Sequence, residues 1–180
     1  MSAASTARHI PLLPAEEYER RRRRANSPWP QLWVLLDEVK DPEIPVISIW
    51  ELGVLQDVEL RDDTVLVTIT PTYSGCPAMD VIAEDIAIAL RYAGYVDSKV
   101  VTRLSPAWST TWIIDEAQEA LRAYGIAPPG AACGQDAAAV ACPRCGSGNV
   151  RSISEFGSTA CKALYQCSDC AEPFDHFKPI

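Results

Sequence analysis

Apolar and polar residues change rhythm several times along the chain, and each rhythm predicts an element. Residues 31–39 (QLWVLLDEV) are amphipathic and read as a short helix. Asp41-Pro42 ends it, because the residue before a proline avoids helical backbone. Pro42 and Pro45 then hold 41–45 extended or turned. Residues 54–61 alternate, with Val54, Val58 and Leu60 set against Gln56, Asp57, Glu59 and Arg61. Asp62-Asp63 makes a turn, and 64–70 is a run rich in β-branched residues, so the two runs predict a β-hairpin. From Cys76 to about Tyr92, Met79, Ile82, Ile86, Leu90 and Ala93 recur at helical steps, and Gly94 caps the end. Residues 99–104 read as a third strand. Ser109, Thr110 and Thr111 are candidate N-caps ahead of a helix at 115–124 (DEAQEALRAY), which Gly125 stops. The order predicts an α+β fold, a small sheet with helices packed on one side.

Outside this block the pattern weakens. Residues 1–14 are rich in Ala and Ser and read as a tail. Residues 15–25 (AEEYERRRRRA) have helical propensity, with acids early and arginines late, as the helix dipole prefers. Residues 127–141 (APPGAACGQDAAAVA) have few large apolar side chains and read as a linker. Strand-like segments return at 150–155 and 163–166. The expected organisation is a flexible basic extension at 1–29, a main domain at 30–128, a linker at 129–141 and a small module at 142–180.

Composition narrows the classes. The 180 residues are 48% hydrophobic, enough for a core, with a formal net charge of −8. That charge is uneven: residues 1–26 carry six Arg against three Glu, while 27–126 carry six basic and sixteen acidic side chains. An acidic body is a poor nucleic-acid binder. The arginine run at 20–24 is read as a solvated helix face or tail. No apolar run approaches the ~18 residues of a membrane span, and no secretory pattern opens the chain, so a cytoplasmic protein without membrane contact is expected. Walker loops, His-Glu-x-x-His motifs, dinucleotide fingerprints and serine triads are missing from the sequence.

Seven cysteines carry the chemistry. Their odd number, the lack of an export signal and two Cys-x-x-Cys pairs favour metal or redox use over disulfides. Cys142-Pro143-Arg144-Cys145 and Cys167-Ser168-Asp169-Cys170 can place four thiolates tetrahedrally around zinc. A module this short cannot bury enough surface alone, so the metal would supply much of its folding energy. With four protein ligands no position is open for a catalytic water, which makes such a zinc structural; iron in the same cage is the alternative. Cys161 is an extra thiol in FGSTACK, read as a small packed residue, a ligand or a redox partner. Cys133 sits in the linker without an evident role, and His176 reads as polar surface.

Cys76 stands apart in the loop TPTYSGCPAMD. Ser74-Gly75 turns the chain, and Pro77 suits the first turn of a helix. A thiol at a helix start is expected to favour the thiolate. The alternative is a small apolar residue packed under the helix. Cys–His catalysis fails on inventory, because the two histidines are His9 in the tail and His176 near the other end. A thiolate near Asp41, Glu43 and Glu51 suits brief holding of a soft or borderline metal.

Three segments carry a resemblance: Asp41-Pro42-Glu43-Ile44-Pro45, Ile49-Trp50-Glu51-Leu52-Gly53-Val54, and Thr70 through Pro77. They resemble the iron–sulfur assembly domain of SufT and the cytosolic iron–sulfur targeting factors, over about residues 30–128. The C-terminal FGSTACKALYQC and Glu172-Pro173-Phe174 are similar to the PaaD family, accessory members of the bacterial phenylacetyl-CoA epoxidase system. The resemblance implies a non-catalytic maturation factor. Its partners would be an oxygenase subunit with a di-iron site and a reductase subunit with an iron–sulfur cluster and flavin. It also implies that Cys76 is a transient ligand of iron or an iron–sulfur cluster, supported by Asp41, Glu43, Glu51, Thr70, Gly75 and Pro77. Cys142, Cys145, Cys167 and Cys170 would hold zinc. A homodimer would supply a second Cys76. The competing readings are a structural adaptor in which Cys76 only packs, a thiol redox enzyme using Cys76 and Cys161, and a ribbon that binds nucleic acid through the arginine run.

Overall fold

The computed structural model describes residues 14–130 and 140–180. His9, Cys133, the tail and most of the linker lie outside the described residues. β3 (Leu55–Arg61) and β4 (Thr64–Ile69) form the expected antiparallel hairpin. Its turn residues Asp62 and Asp63 both have positive φ, 47° and 63°, which matches the right-handed twist of the flanking strands. α3 (Ala78–Tyr92) then carries the chain to β5 (Ser98–Thr102), which pairs parallel with β4. Ile82, Ile86 and Leu90 of α3 are buried as their spacing predicts, whereas Ala93 is exposed beyond the helix end. β1 (Lys40–Asp41) and β2 (Ile44–Ser48) make a separate antiparallel ribbon around the Pro42 turn. α2 (Pro30–Leu36) is shorter than expected, with Pro30 in its first turn. α4 (Asp115–Tyr124) ends at Gly125 in left-handed backbone, φ 98°.

The small module is more embedded than its linker implies. β7 (Val150–Ser154), β8 (Lys162–Cys167) and β9 (Pro173–Phe177) form an antiparallel sheet, and β6 (Ile126–Ala127) adds a parallel strand beside β9. β6 and β9 escape sequence reading because each is short and bounded by proline or polar residues. Phe177 is fully buried in the main core, 5.8 Å from the Trp108 ring. The Ile180 carbonyl accepts from the Thr110 N–H at 3.2 Å. The small module therefore enters the main core through Cys161 and Phe177, while Ala127, Cys142, Cys167 and Phe174 form a second, smaller cluster. His176, expected on the surface, is buried in β9 with its ring edge-on to Tyr165 at 5.4 Å. Burial pushes its pKa down.

The arginine run also departs from expectation. In α1 (Ala15–Ala25), Glu17 and Arg20 are completely buried. Arg20 makes a two-pronged pair with Glu17 at 2.7 and 3.1 Å. It also donates to the carbonyls of Trp50 at 3.0 Å and Trp112 at 3.0 Å, and its guanidinium lies 3.9 Å from the Trp50 ring centroid. Arg24 pairs with Asp37 at 2.7 and 2.6 Å. A planar fork with five donors can satisfy a carboxylate and several carbonyls at once, which explains why a buried cation is tolerated here. Arg21 and Arg22 alone of the run stay exposed. The segment from Ala15 to Ala25 is thus a packed helix, not a solvated one.

Candidate metal centre and thiol site

Two turns of matching geometry build the cysteine cage. In the first, the Cys142 N–H donates to the Ser147 carbonyl and the Gly146 N–H to the Cys142 carbonyl, both at 2.8 Å. In the second, the Cys167 N–H donates to the Glu172 carbonyl at 2.9 Å. Each turn needs one left-handed residue four positions after its first cysteine. Gly146 supplies it at φ 75°, and Ala171 at φ 61° bears a Cβ strain that glycine avoids. Asp169 ties the turns together, accepting from Ser147 Oγ at 2.5 Å and Asn149 Nδ2 at 2.7 Å. These bonds hold its carboxyl below the usual range.

The four sulfurs lie within 4.8 Å of one another, with Cys142–Cys170 at 3.7 Å and Cys145–Cys167 at 3.6 Å. Four thiolates at ~2.3 Å from a tetrahedral zinc stand about 3.8 Å apart. Both of these separations match that spacing, and four thiols suit zinc. The backbone N–H groups of Cys170 and Asp169 help lower the Cys167 thiol to about 7. Zinc bound there would be held by protein on all four sides and would act as a structural clamp.

Cys76 sits in the loop between β4 and α3. Its N–H donates to the Tyr73 carbonyl at 3.1 Å, closing a turn over Ser74-Gly75. Gly75 has ordinary backbone there, and an added Cβ would meet only the Tyr73 ring at 3.9 Å. Thr70 is buried at the end of the hairpin and donates its N–H to the Val54 carbonyl at 2.9 Å, fixing the loop's start. Pro77 precedes the first residue of α3, and the Ala78 N–H points at the Cys76 sulfur.

The helix start does not make Cys76 a thiolate. Burial raises its pKa; the Ala78 N–H lowers it; Glu43, Asp41 and Cys161 raise it further, and the net shift is upward. Desolvation and neighbouring negative charge outweigh one backbone dipole. Asp41 is buried and accepts from the N–H groups of Glu43 and Ile44, both at 2.9 Å. Burial nevertheless pushes its pKa up, and Glu43 is raised by burial and by Asp41. Glu51 serves a different contact. It accepts from the Ser48 N–H at 2.6 Å, while its own N–H donates to Ser48 Oγ at 3.1 Å, a reciprocal turn lock.

The ribbon completes these surroundings in a way spacing does not reveal. Cys161 is 5% exposed and belongs to the main core, the cluster against which Cys76 and Tyr73 also pack. Its neighbour Lys162 is buried, and its charge lowers the pKa of Asp41, Glu43 and Cys161. Thr159, Lys162 and Tyr73 lie inside the resembling segments, but their convergence on this site was not readable, since it depends on how the modules dock.

Comparison with known proteins fits this two-part layout. A model for the iron–sulfur cluster assembly protein family matches residues 31–102, and one for the PaaD zinc beta ribbon domain matches 127–178. Over 152 residues the chain is 47% identical to an Escherichia coli K12 protein named for a subunit of 1,2-phenylacetyl-CoA epoxidase, covering 83% of this chain and 92% of that one. The chain belongs to the PaaD family of epoxidase subunits. The ribbon match of this family member opens at residue 127, where β6 enters the ribbon sheet. A Porphyromonas gingivalis protein described as an Fe-S protein maturation auxiliary factor is 35% identical over 85 residues, 46% of this chain and 80% of that one. Among solved structures, a domain of unknown function from Bacillus anthracis superposes with a TM-score of 0.47 at 26% identity, over 58% of this chain and 95% of that one. Among the described residues no helix is long and apolar enough to cross a membrane.

Proposed function

We propose that this chain is a non-catalytic maturation factor of the phenylacetyl-CoA epoxidase system. It delivers iron or an iron–sulfur cluster to the oxygenase or reductase subunit. The observation that carries this reading is the setting of Cys76: a half-buried thiol beside two carboxylates, with no histidine among the described residues placed to serve as a catalytic base. The acids that keep the proton on Cys76 also attract a cation. When the metal arrives, the thiol gives its proton to solvent and becomes a ligand. Affinity gained that way is moderate and falls as pH drops, which suits a carrier that must also release. The zinc ribbon, already closed, supports the fold rather than the cargo. The relatives named for the epoxidase and for iron–sulfur maturation support both halves of the proposal.

The test is co-expression of the epoxidase subunits with this chain or its Cys76→Ala variant. The expected result is less iron in the purified oxygenase or reductase with the variant, while the variant keeps its zinc. Unchanged iron and unchanged epoxidase activity would instead favour a structural adaptor in which Cys76 only packs.

A further inference from the structure

We propose that Cys161, carried by the ribbon, is the second thiolate of the Cys76 site, and that the two sulfurs with the Glu43 carboxylate bind a thiophilic divalent iron. This rests on the carrier reading of Cys76 and names the ligand set that the reading lacks.

Three observations place Cys161 there. It is not part of the zinc cage, whose four sulfurs are satisfied by one another. Instead it lies on the face of the ribbon that enters the main core, the cluster against which Cys76 and Tyr73 pack, and near enough for its charge to act on both. The loop that carries it is held at several points. The Asp175 carboxylate accepts from Ser158 Oγ at 2.7 Å, the Gly157 N–H donates to the Lys162 carbonyl at 2.8 Å, and the Lys178 N–H donates to the Cys161 carbonyl at 2.9 Å. The Thr159 hydroxyl contacts the Cys161 sulfur at 3.0 Å and faces the Glu43 carboxylate.

The donor set defines the ligand. Two sulfurs and a carboxylate, without imidazole, suit borderline ions such as ferrous iron. The buried Lys162 ammonium, 3.8 Å from Asp175, offsets part of the negative charge before the ion binds. Among the described residues, the ribbon sulfurs are the one group of three or more such ligand atoms already gathered within reach of a single ion. Cys76, Cys161 and Glu43 stand further apart. Cys76 and Glu43 are part-buried, whereas Cys161 is buried, so gathering the three ligands calls for the first two to turn toward Cys161. Three protein ligands would leave coordination positions open, the arrangement needed to hand iron to a client.

The experiment uses the zinc-loaded full chain, prepared anaerobically. Ferrous iron is titrated in alone, and then with sulfide, while thiolate-to-iron charge-transfer absorption and iron per chain are measured. The unmodified protein should bind ferrous iron without sulfide; iron bound only with sulfide, or not at all, would overturn the three-ligand site. Cys76→Ala and Cys161→Ser should each weaken binding at least about tenfold, a loss that even outer contacts of a metal site produce, with zinc retained. If Cys161→Ser binds iron as well as the unmodified chain while Cys76→Ala does not, the second ligand is refuted and the carrier reading stands. If neither change matters, both fall. Should Cys161→Ser lose its zinc or its fold, the unmodified chain decides the matter. Phenylarsine oxide, which bridges paired thiols, should link the Cys76 and Cys161 peptides in mass mapping. Separate single-thiol adducts would overturn the pairing.

Discussion

The two cysteine sites differ in how they are built. The ribbon cage draws all its ligands from two tight turns, brings its sulfurs to zinc spacing unaided and is sealed by Asp169 across the turns. The Cys76 site is assembled from the hairpin loop, the β1–β2 turn and the ribbon, and its thiols are pushed toward the protonated form. A closed cage holds its metal as part of the fold. An open one, whose ligands must lose protons and move, can let its metal go. The ribbon also carries Cys161 into the main core, so under the proposal the stable metal would organise the transient one.

The largest expected effect comes from breaking the cage. Cys142→Ser should abolish zinc binding and unfold the ribbon, because structural zinc supplies on the order of 10 kcal/mol to such modules. Loss of the ribbon should also strip the cover from Cys76, so its alkylation rate should rise. Unaltered Cys76 reactivity would separate the two sites and break the comparison.

A smaller effect should follow from moving the ribbon loop alone. A side chain at Gly157 would run into the Asp175 carboxylate and the backbone of Ala163. Gly157→Val should cost roughly 1–3 kcal/mol through overpacking, read by urea unfolding. Zinc should remain while Cys161 becomes reactive to thiol reagents.

His176 gives the docked ribbon a pH dependence. Its folded pKa lies below the ordinary 6.5, so the unfolded chain binds the proton first. Stability is therefore full above about pH 6.5 and is lost as pH falls through the folded value, by at most about 1.4 kcal/mol per unit. His176→Phe keeps an aromatic ring against Tyr165 and should flatten the melting temperature between about pH 7 and pH 6. An equal slope in both proteins would assign the loss to the cysteine cage instead.

The smallest effect on stability should be that of Cys76→Ala. The thiol is only half-buried, so the change should cost less than about 1 kcal/mol, measured by thermal unfolding. A cost of several kcal/mol would recast Cys76 as a packing residue.

Legibility in the sequence follows the same division. The cage was readable because all its chemistry lies in two short spacings. The 115–124 helix was readable because acids open it and Gly125 closes it, and the β3–β4 hairpin because its alternation is local. What failed was tertiary. Arg20 looks like its neighbours in composition, yet it is the arginine on the inward face, in step with Glu17 and Arg24 at helical spacing. That stripe was a usable signal. Cys161 was legible as an extra thiol, but its place in the main core, like the burial of Lys162 and His176, was not, since it depends on Phe177 and β9 entering another module's core. The thiolate expected at Cys76 failed for an electrostatic reason: a helix N–H is countered by burial and two acids that only the fold brings together.

Transfer itself is the most direct measurement. The zinc-loaded chain, charged anaerobically with iron and sulfide, is mixed with iron-depleted oxygenase and, separately, iron-depleted reductase, and epoxidase activity and client iron are followed with time. A carrier predicts that iron appears in one client faster than from free iron and sulfide at the same concentration, and that Cys76→Ala removes this advantage. Equal rates with the intact chain, the variant and free iron would contradict it.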